Sequence, residues 1–204
     1  MIRNHASAEI EDGAVVGDGT VVWHFAHVRS GARVGRECVV GRGVYIGPGA
    51  RIGNRCKIQN YALVYEPAVV EDGVFIGPGV VFTNDLNPRA VNPDGSLKAA
   101  EDWDAVGVSV GTGASIGARA VCVAPVRIGA WATVAAGAVV VRDVPDYALV
   151  AGVPARQIGW VGESGHRLKE DGSSQVPHTD RTWLCPATGT RYVERDGRLE
   201  RADS

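Results

Sequence analysis

From residue 11 to residue 82 the chain reads EDGAVV GDGTVV WHFAHV RSGARV GRECVV GRGVYI GPGARI GNRCKI QNYALV YEPAVV EDGVFI GPGVVF, twelve successive hexads introduced by Ile10. Every hexad closes on a large apolar residue, from Val16 through Ile46 and Val64 to Phe82, without one polar interruption. Four positions after each of these comes a small or modest side chain, such as Ala14, Thr20, Ala26, Cys38, Ala50, Cys56, Ala62 and Val80. Two inward positions per hexad follow. Glycine often stands directly after the apolar residue (Gly17, Gly35, Gly41, Gly47, Gly53, Gly77), where a chain turning a sharp corner benefits from the absence of a Cβ.

A hexad is therefore one short strand plus one corner, and three hexads close a triangular coil of 18 residues. Stacked coils pair their strands in parallel about 4.8 Å apart, so the apolar residues form ladders down the interior. An α-helix would need apolar residues at a period of 3.6, and a doubly wound sheet would need helix-length segments between strands; the sequence has neither. The fold class is all-β, a parallel β-helix of hexapeptide repeats.

The register stops after Phe82 and resumes at Val110, Ile116, Cys122, Ile128, Val134 and Val140, with Ala114, Ala120, Val126, Ala132 and Ala138 as small partners. The spacing from Phe82 to Val110 is not a multiple of six. Residues 83–109 must therefore leave the coil as a loop and return, and long excursions from a regular scaffold are commonly functional. Residues 1–160 form the prism domain; residues 161–204 leave the repeat. The polar stretch 162–174 reads as a linker, and Trp183–Pro186 with Arg191–Glu194 reads as a small hairpin flanking Ala-Thr-Gly-Thr, against the alternative of a partly disordered tail.

Composition narrows the function classes. The 204 residues carry a formal net charge of −2, which leaves no basic excess for nucleic acid or an anionic membrane. The start MIRNHASAEI lacks a signal-peptide pattern, which gives a cytoplasmic expectation. Four dispersed cysteines without a CxxC pair suggest reduced thiols and no zinc ribbon, with Cys38, Cys56 and Cys122 in core slots.

Residues 18 apart stack on one corner. One column reads His24, Arg42, Asn60, Pro78; another reads Asp12, Ser30, Pro48, Glu66, Asn84. Polar residues gather where the loop leaves: Thr83, Asn84, Asp85, then Asn87 and Arg89, with Tyr65 and Glu66 one coil below. Taken singly, such residues are ordinary turn formers. As a cluster beside the one long loop they mark a candidate acceptor site.

The [LIV]-G-x4 hexads, the extruded loop and the exit segment Ala151-Gly152-Val153-Pro154-Ala155 resemble the hexapeptide-repeat acyltransferases. The resemblance covers residues 8–160 and implies a left-handed prism, a homotrimer with sites between subunits, and an acyl-CoA donor. The stretches Val22-Trp23-His24, Lys57-Ile58-Gln59-Asn60, Val81-Phe82-Thr83-Asn84 and Asn87-Pro88-Arg89-Ala90 resemble N-acetyltransferases of nucleotide-linked 3-amino sugars. Within that group the similarity points to the enzymes acetylating UDP-2-acetamido-3-amino-2,3-dideoxyglucuronate for bacterial surface polysaccharide. A dTDP-3-amino-deoxysugar N-acetyltransferase is the alternative, and a non-enzymatic structural solenoid is the other class.

The resemblance implies Asn84 as the catalytic contact. Acyl transfer to an amine needs a donor for the oxyanion and a destination for the amine proton. Asn84 can donate; Glu66 or a histidine, or finally the departing thiolate, takes the proton. Histidine is the usual base in related enzymes, and only His24 and His27 lie within the repeats; both may equally be wall residues of a trimer interface. Asn60, Tyr65, Thr83, Arg89 and His27 are substrate-binding candidates. Acetyl-CoA would lie along Ala135-Ala136-Gly137, with Gly152 at the exit and Arg142 and Arg156 facing its phosphates. A γ-carbonic anhydrase of this fold would need three zinc-binding histidines from neighbouring coils, which this chain does not supply, so no metal is expected.

Overall fold

The computed structural model describes residues 3–172 and 180–202. It is a left-handed parallel β-helix of three faces. The first face runs from Arg3–Asn4 through Val21–Val22, Val39–Val40, Lys57–Ile58, Phe75–Ile76, Ser115–Ile116 and Thr133–Val134 to Ala148–Gly152, with Ala155–Trp160 folded back antiparallel at its end. The second face runs from Glu9–Ile10 to Val139–Val140, and the third from Val15–Val16 to Val126–Ile128. Corresponding residues pair 18 apart, as in Ile10↔Val28, Val28↔Ile46 and Ile46↔Val64.

The apolar slots are the core. Val28, Val40, Ile46, Ile58, Val64, Ile76 and Phe82 are completely buried, as are Ala26, Ala32, Ala50, Ala62 and Ala68 opposite them. Large and small positions alternate because the triangular lumen is too narrow for two large side chains at one level. Thr20 is the one polar residue buried in a prism slot, and its hydroxyl is used twice, donating to Gly35 O and accepting from Cys38 N. All four cysteines are free and buried; burial alone pushes the Cys122 thiol up to about 12, which makes it an inert core group.

The corner glycines serve a purpose other than turning. Gly17, Gly35, Gly41 and Gly77 are not in the left-handed region; a Cβ there would strike backbone of the next coil, 2.7 Å from Arg36 N at Gly17 and 2.7 Å from Ala118 N at Gly77. They permit coil-to-coil contact. The left-handed residue of most corners comes two positions later, while the corners at Pro67 and Pro125 have a cis-proline there. Glycine fills it in many coils, as at Gly49 (φ 70°), but Phe25, Glu37, Arg55, Tyr61, Arg119, Trp131 and Tyr147 also adopt it.

The coil resumes with a strand at Val108–Val110, pairing Val70 with Val110, so the excursion ends two residues earlier than the apolar register suggests. The loop carries its own order: a bridge between Asp85 and Ala105, another between Val91 and Leu97, and a 3₁₀ turn at Ala100–Asp102.

Beyond the prism, Lys169–Glu170, Arg181–Leu184, Arg191–Arg195 and Arg198–Arg201 form a four-stranded antiparallel sheet. Tyr192, Leu199, Cys185 and Leu168 join the prism core, with the Tyr192 ring edge-on to Tyr147 at 5.4 Å and its hydroxyl accepting from Glu163 N at 3.1 Å. Within the stretch expected as a linker, residues 173 and 174 lie outside the described residues. The remainder is ordered by the Val161↔Arg167 bridge and by burial of Leu168. No helix among the described residues is long and apolar enough to cross a membrane.

Two stability outcomes follow from this construction. Ile58→Ala removes a fully buried side chain from a lumen that cannot collapse, and should cost about 2–5 kcal/mol in chemical denaturation. Along the third corner, Glu71 is held below its ordinary value by the Thr112 hydroxyl and N–H, and Asp72 by Asn54 N–H and its amide. A depressed folded-state value gives stability that is present above the unfolded value and lost as pH falls through the folded one. The melting temperature should therefore decline as pH drops below about 4.5, and a Glu71→Gln, Asp72→Asn variant should decline less steeply over the same window.

Candidate functional site

Corner and height locate every outward residue. The first corner, between the first and second faces, carries Trp23-His24-Phe25, then Gly41-Arg42-Gly43, then Gln59-Asn60-Tyr61. Above these it changes character to Gly77-Pro78-Gly79, Gly117-Ala118-Arg119 and Ala135-Ala136-Gly137. The pairing of Val134 with Val150 sets Gly152 directly beyond Ala136. The second corner carries Glu11, Arg29, Gly47 and Tyr65, and releases the loop at Thr83-Asn84.

The register Val64↔Phe82 places Glu66 one coil below Asn84, on the same corner. Both are half-buried. The Glu66 carboxylate is tucked over Gly47, whose missing Cβ makes the room, and its Oε2 is buried without a hydrogen-bond partner. Asn84 uses its backbone carbonyl to accept from Val106 N at 3.0 Å, which ties the two ends of the loop together. The Thr83 hydroxyl accepts from Ala124 N at 3.0 Å, a bond that secures the loop base to the coil above. Tyr65 lies beside this group and meets Tyr45 at 5.0 Å between ring centroids. Arg89 is exposed on the loop and its Nη1 donates to Pro88 O.

His24 and Asn60 do not join them. They sit on the first corner, with His24 more than three coils below Asn84, on the order of 15 Å along the axis. The Asn60 Oδ1 accepts from Arg42 N at 2.9 Å, a rung between coils. The His24 ring stacks on His5 at 3.3 Å; burial, the neighbouring His5 and Arg42 hold its pKa below the usual value. Distance and the stack on His5 keep His24 away from the loop base. His27 is the histidine with a carboxylate: its Nε2 donates to Glu11 Oε1 at 2.8 Å on the second face. Glu9, Glu11 and His27 bring three possible ligand atoms within 4.8 Å of one another, but Arg29 Nε stands 2.6 Å from the same Glu11 oxygen and already supplies the positive charge.

The residues expected at the acyl donor divide in the same way. Ala136, Gly137, Gly152 and Arg156 gather at the far end of the first corner, where Gly152 and Ala155 pair across the hairpin turn and Arg156 is exposed. Arg142 is on the second corner and exposed.

The sequence expectation omitted Tyr45, Arg29 and Glu11, which form one connected group with His27. Their 18-residue spacing was the available signal: Glu9, His27, Tyr45 and Glu11, Arg29, Gly47, Tyr65 are two adjacent columns.

The family described as bacterial transferase hexapeptide (six repeats) matches residues 8–48 and 49–84, and the hexapeptide repeat of succinyl-transferase matches residues 107–142. A dTDP-3-amino-3,6-dideoxy-alpha-D-galactopyranose 3-N-acetyltransferase from Aneurinibacillus thermoaerophilus is 46% identical over 85 residues, 42% of this chain and 40% of that protein. Serine acetyltransferase 4 from Arabidopsis thaliana is 47% identical over 55 residues, 27% of this chain and 16% of that one. The chain therefore spans two fifths or less of the length of these curated relatives. Among solved structures, a hexapeptide-repeat acetyltransferase from Vibrio cholerae, complexed with acetyl coenzyme A, is 27% identical with a TM-score of 0.53, covering 65% of this chain and 72% of its own. A UDP-N-acetylglucosamine acyltransferase from Bacteroides fragilis shares the fold at 18% identity and a TM-score of 0.61, over 78% of this chain and 62% of its own. With hexapeptide repeats matched over more than half of its length, this chain belongs to the bacterial hexapeptide-repeat transferase family.

Proposed function

We propose that the protein is an acetyl-CoA-dependent N-acetyltransferase acting on the amino group of a nucleotide-linked sugar, with Asn84 and Glu66 at the reacting amine. The observation that carries this reading is the change in the first corner at the height of the loop. Below that level the corner bears aromatic and charged side chains; from Pro78 through Ala118 and Ala136 to Gly152 it bears almost none. A backbone edge stripped of side chains accepts a long, thin pantetheine arm and leaves peptide groups free to bond its amides. The exposed Arg156 at the end of that edge can meet a phosphate.

Asn84 lies on the second corner, so one chain does not bring the two halves together. A second copy related by an axis parallel to the prism does, because such an operation preserves height and sets Asn84 of one copy level with the Pro78–Ala118 edge of the next. The exposed Leu86, Val91 and Leu97 of the loop supply apolar surface for that contact. We take that assembly to be the closed ring of three that the family resemblance implies.

In the reaction the neutral amine attacks the thioester carbonyl, and the Asn84 amide donates to the oxyanion of the tetrahedral intermediate. Glu66, one coil below Asn84, is the carboxylate placed to accept a hydrogen bond from the amine and orient its lone pair once its side chain swings out from over Gly47. The C–S bond then breaks, the amide forms, and the CoA thiolate takes the amine proton directly or through solvent. No histidine is required. The relative that acetylates a dTDP-linked 3-amino sugar supports a 3-amino acceptor. We carry forward both the UDP-linked 3-amino uronate, for which Arg89 offers a cation on the loop, and the dTDP-linked deoxysugar.

The test is thiol release from acetyl-CoA with a panel of UDP- and dTDP-linked 3-amino and 4-amino sugars. A 3-amino sugar should turn over. Asn84→Ala should lower kcat by about 10²–10³, as expected for loss of one oxyanion donor, whereas His24→Ala should leave kcat within a few-fold. Absence of both turnover and acetyl-CoA binding would instead favour a structural solenoid.

A further inference from the structure

The group formed by Glu11, His27, Arg29 and Tyr45 is not used by acyl transfer, yet it lies on the same side of the prism as the loop base and runs into it. Tyr65 is one coil below Thr83, its ring touches Tyr45 at 5.0 Å, and the Tyr45 ring meets His27 edge-on at 5.8 Å. Arg29 Nη1 donates to the Tyr45 hydroxyl at 3.2 Å, while Glu11 takes His27 Nε2 on Oε1 at 2.8 Å and Ser30 N on Oε2 at 2.7 Å. All four side chains are half-buried, not fully solvated.

Two features mark the strip as prepared for a ligand. Arg29 Nε is paired with Glu11 Oε1 at 2.6 Å, so the cation and the carboxylate hold each other in place. Glu11 retains lone pairs on both carboxylate oxygens beyond the bonds it already accepts. An aromatic wall, a fixed cation and a fixed carboxylate thus sit together within two coils. The net charge of Glu11 and Arg29 is zero, which does not suit a diphosphate. The set suits a flat, neutral group that both donates and accepts.

We infer that this strip is the nucleobase subsite of the acceptor, and that it selects a keto base with a ring N–H, namely uracil, thymine or guanine. The ring N–H would donate to Glu11, the adjacent carbonyl would accept from Arg29, and Tyr45 would cover the ring. Adenine and cytosine present an unprotonated ring nitrogen at that position, which would face the carboxylate. Height supports the assignment: Arg29 lies three coils below Thr83, about 14 Å along the axis, a span that a nucleotide extended from a sugar at Asn84 can bridge past Tyr65.

The inference rests on the sugar-nucleotide reading, and its test separates the two. Calorimetry on the intact protein with UDP, dTDP, GDP, ADP and CDP should give binding of the first three at least about tenfold tighter than of the last two. Glu11→Gln and Arg29→Lys should each reduce that preference by about tenfold or more, raise KM for the sugar nucleotide and leave kcat and acetyl-CoA affinity near wild type. Equal binding of all five, or an unchanged preference in both variants with normal melting temperatures, would overturn the subsite while leaving acetyl transfer intact. Loss of acetyl-CoA binding in the unmodified protein would overturn the transferase reading itself. If Glu11→Gln unfolds the first coils, Arg29→Lys with a normal melting temperature carries the same discrimination, and an unchanged preference in it overturns the subsite.

Discussion

Everything in this molecule depends on backbone hydrogen bonds that join each coil to the next along three faces. Gly41 N donates to Ile58 O at 2.8 Å, Gln59 N to Ile76 O at 2.8 Å and Gly77 N to Ile116 O at 2.8 Å, and the series continues the length of the prism. Because the bonds run between coils, side chains have little say in direction; they decide only how closely coils approach and what the lumen can hold. That is why two different glycine positions matter at each corner. One must admit the next coil, and the other must turn the chain, a task that Phe25 or Tyr61 can also perform at the cost of a left-handed backbone.

The same constraint makes the loop inexpensive. Residues leave the coil after Phe82 and return at Val108, and the strand they rejoin pairs Val70 with Val110 as if no insertion existed. An excursion at a corner interrupts no ladder, whereas one within a strand would strand donors on both neighbouring coils. Thr83 and Asn84 then anchor the loop by one bond upward, to Ala124 N, and one across, to Val106 N. The polar cluster at the loop base is held in place because it is built on coil residues.

The fold was legible because one arithmetic rule covers 19 hexads, and each large apolar slot from Val22 onward is buried as that rule requires. The placement of Glu66 below Asn84 came from the same rule. What the rule does not contain is which side chains reach one another around a corner. His24 and His27 are three residues apart, yet one stacks on His5 and the other finds Glu11 sixteen residues back, since they sit on a corner and on a face respectively. Arg142 was grouped with Arg156 by proximity in sequence, and the triangular cross-section separates them. The C-terminal sheet was only half visible: its central hairpin has clear turn residues, but its attachment depends on Tyr192 and Leu199 meeting Tyr147 and Leu168, contacts between segments with no periodic relation.

Height along the prism orders the chemistry. Under the proposed function, the reacting atoms meet at the level of Asn84, the acyl donor extends toward Gly152, and the distal part of the acceptor extends toward Glu11. A solenoid is suited to this division because adding or altering a coil moves one end of the site relative to the other by a fixed step and disturbs only its neighbours. A globular pocket, in which every wall shares one core, has no such independence. Under the proposed function, substitutions in the N-terminal coils change which nucleotide is held while the amine still arrives at Asn84, and the smooth corner from Pro78 to Gly152 keeps one shape for the donor.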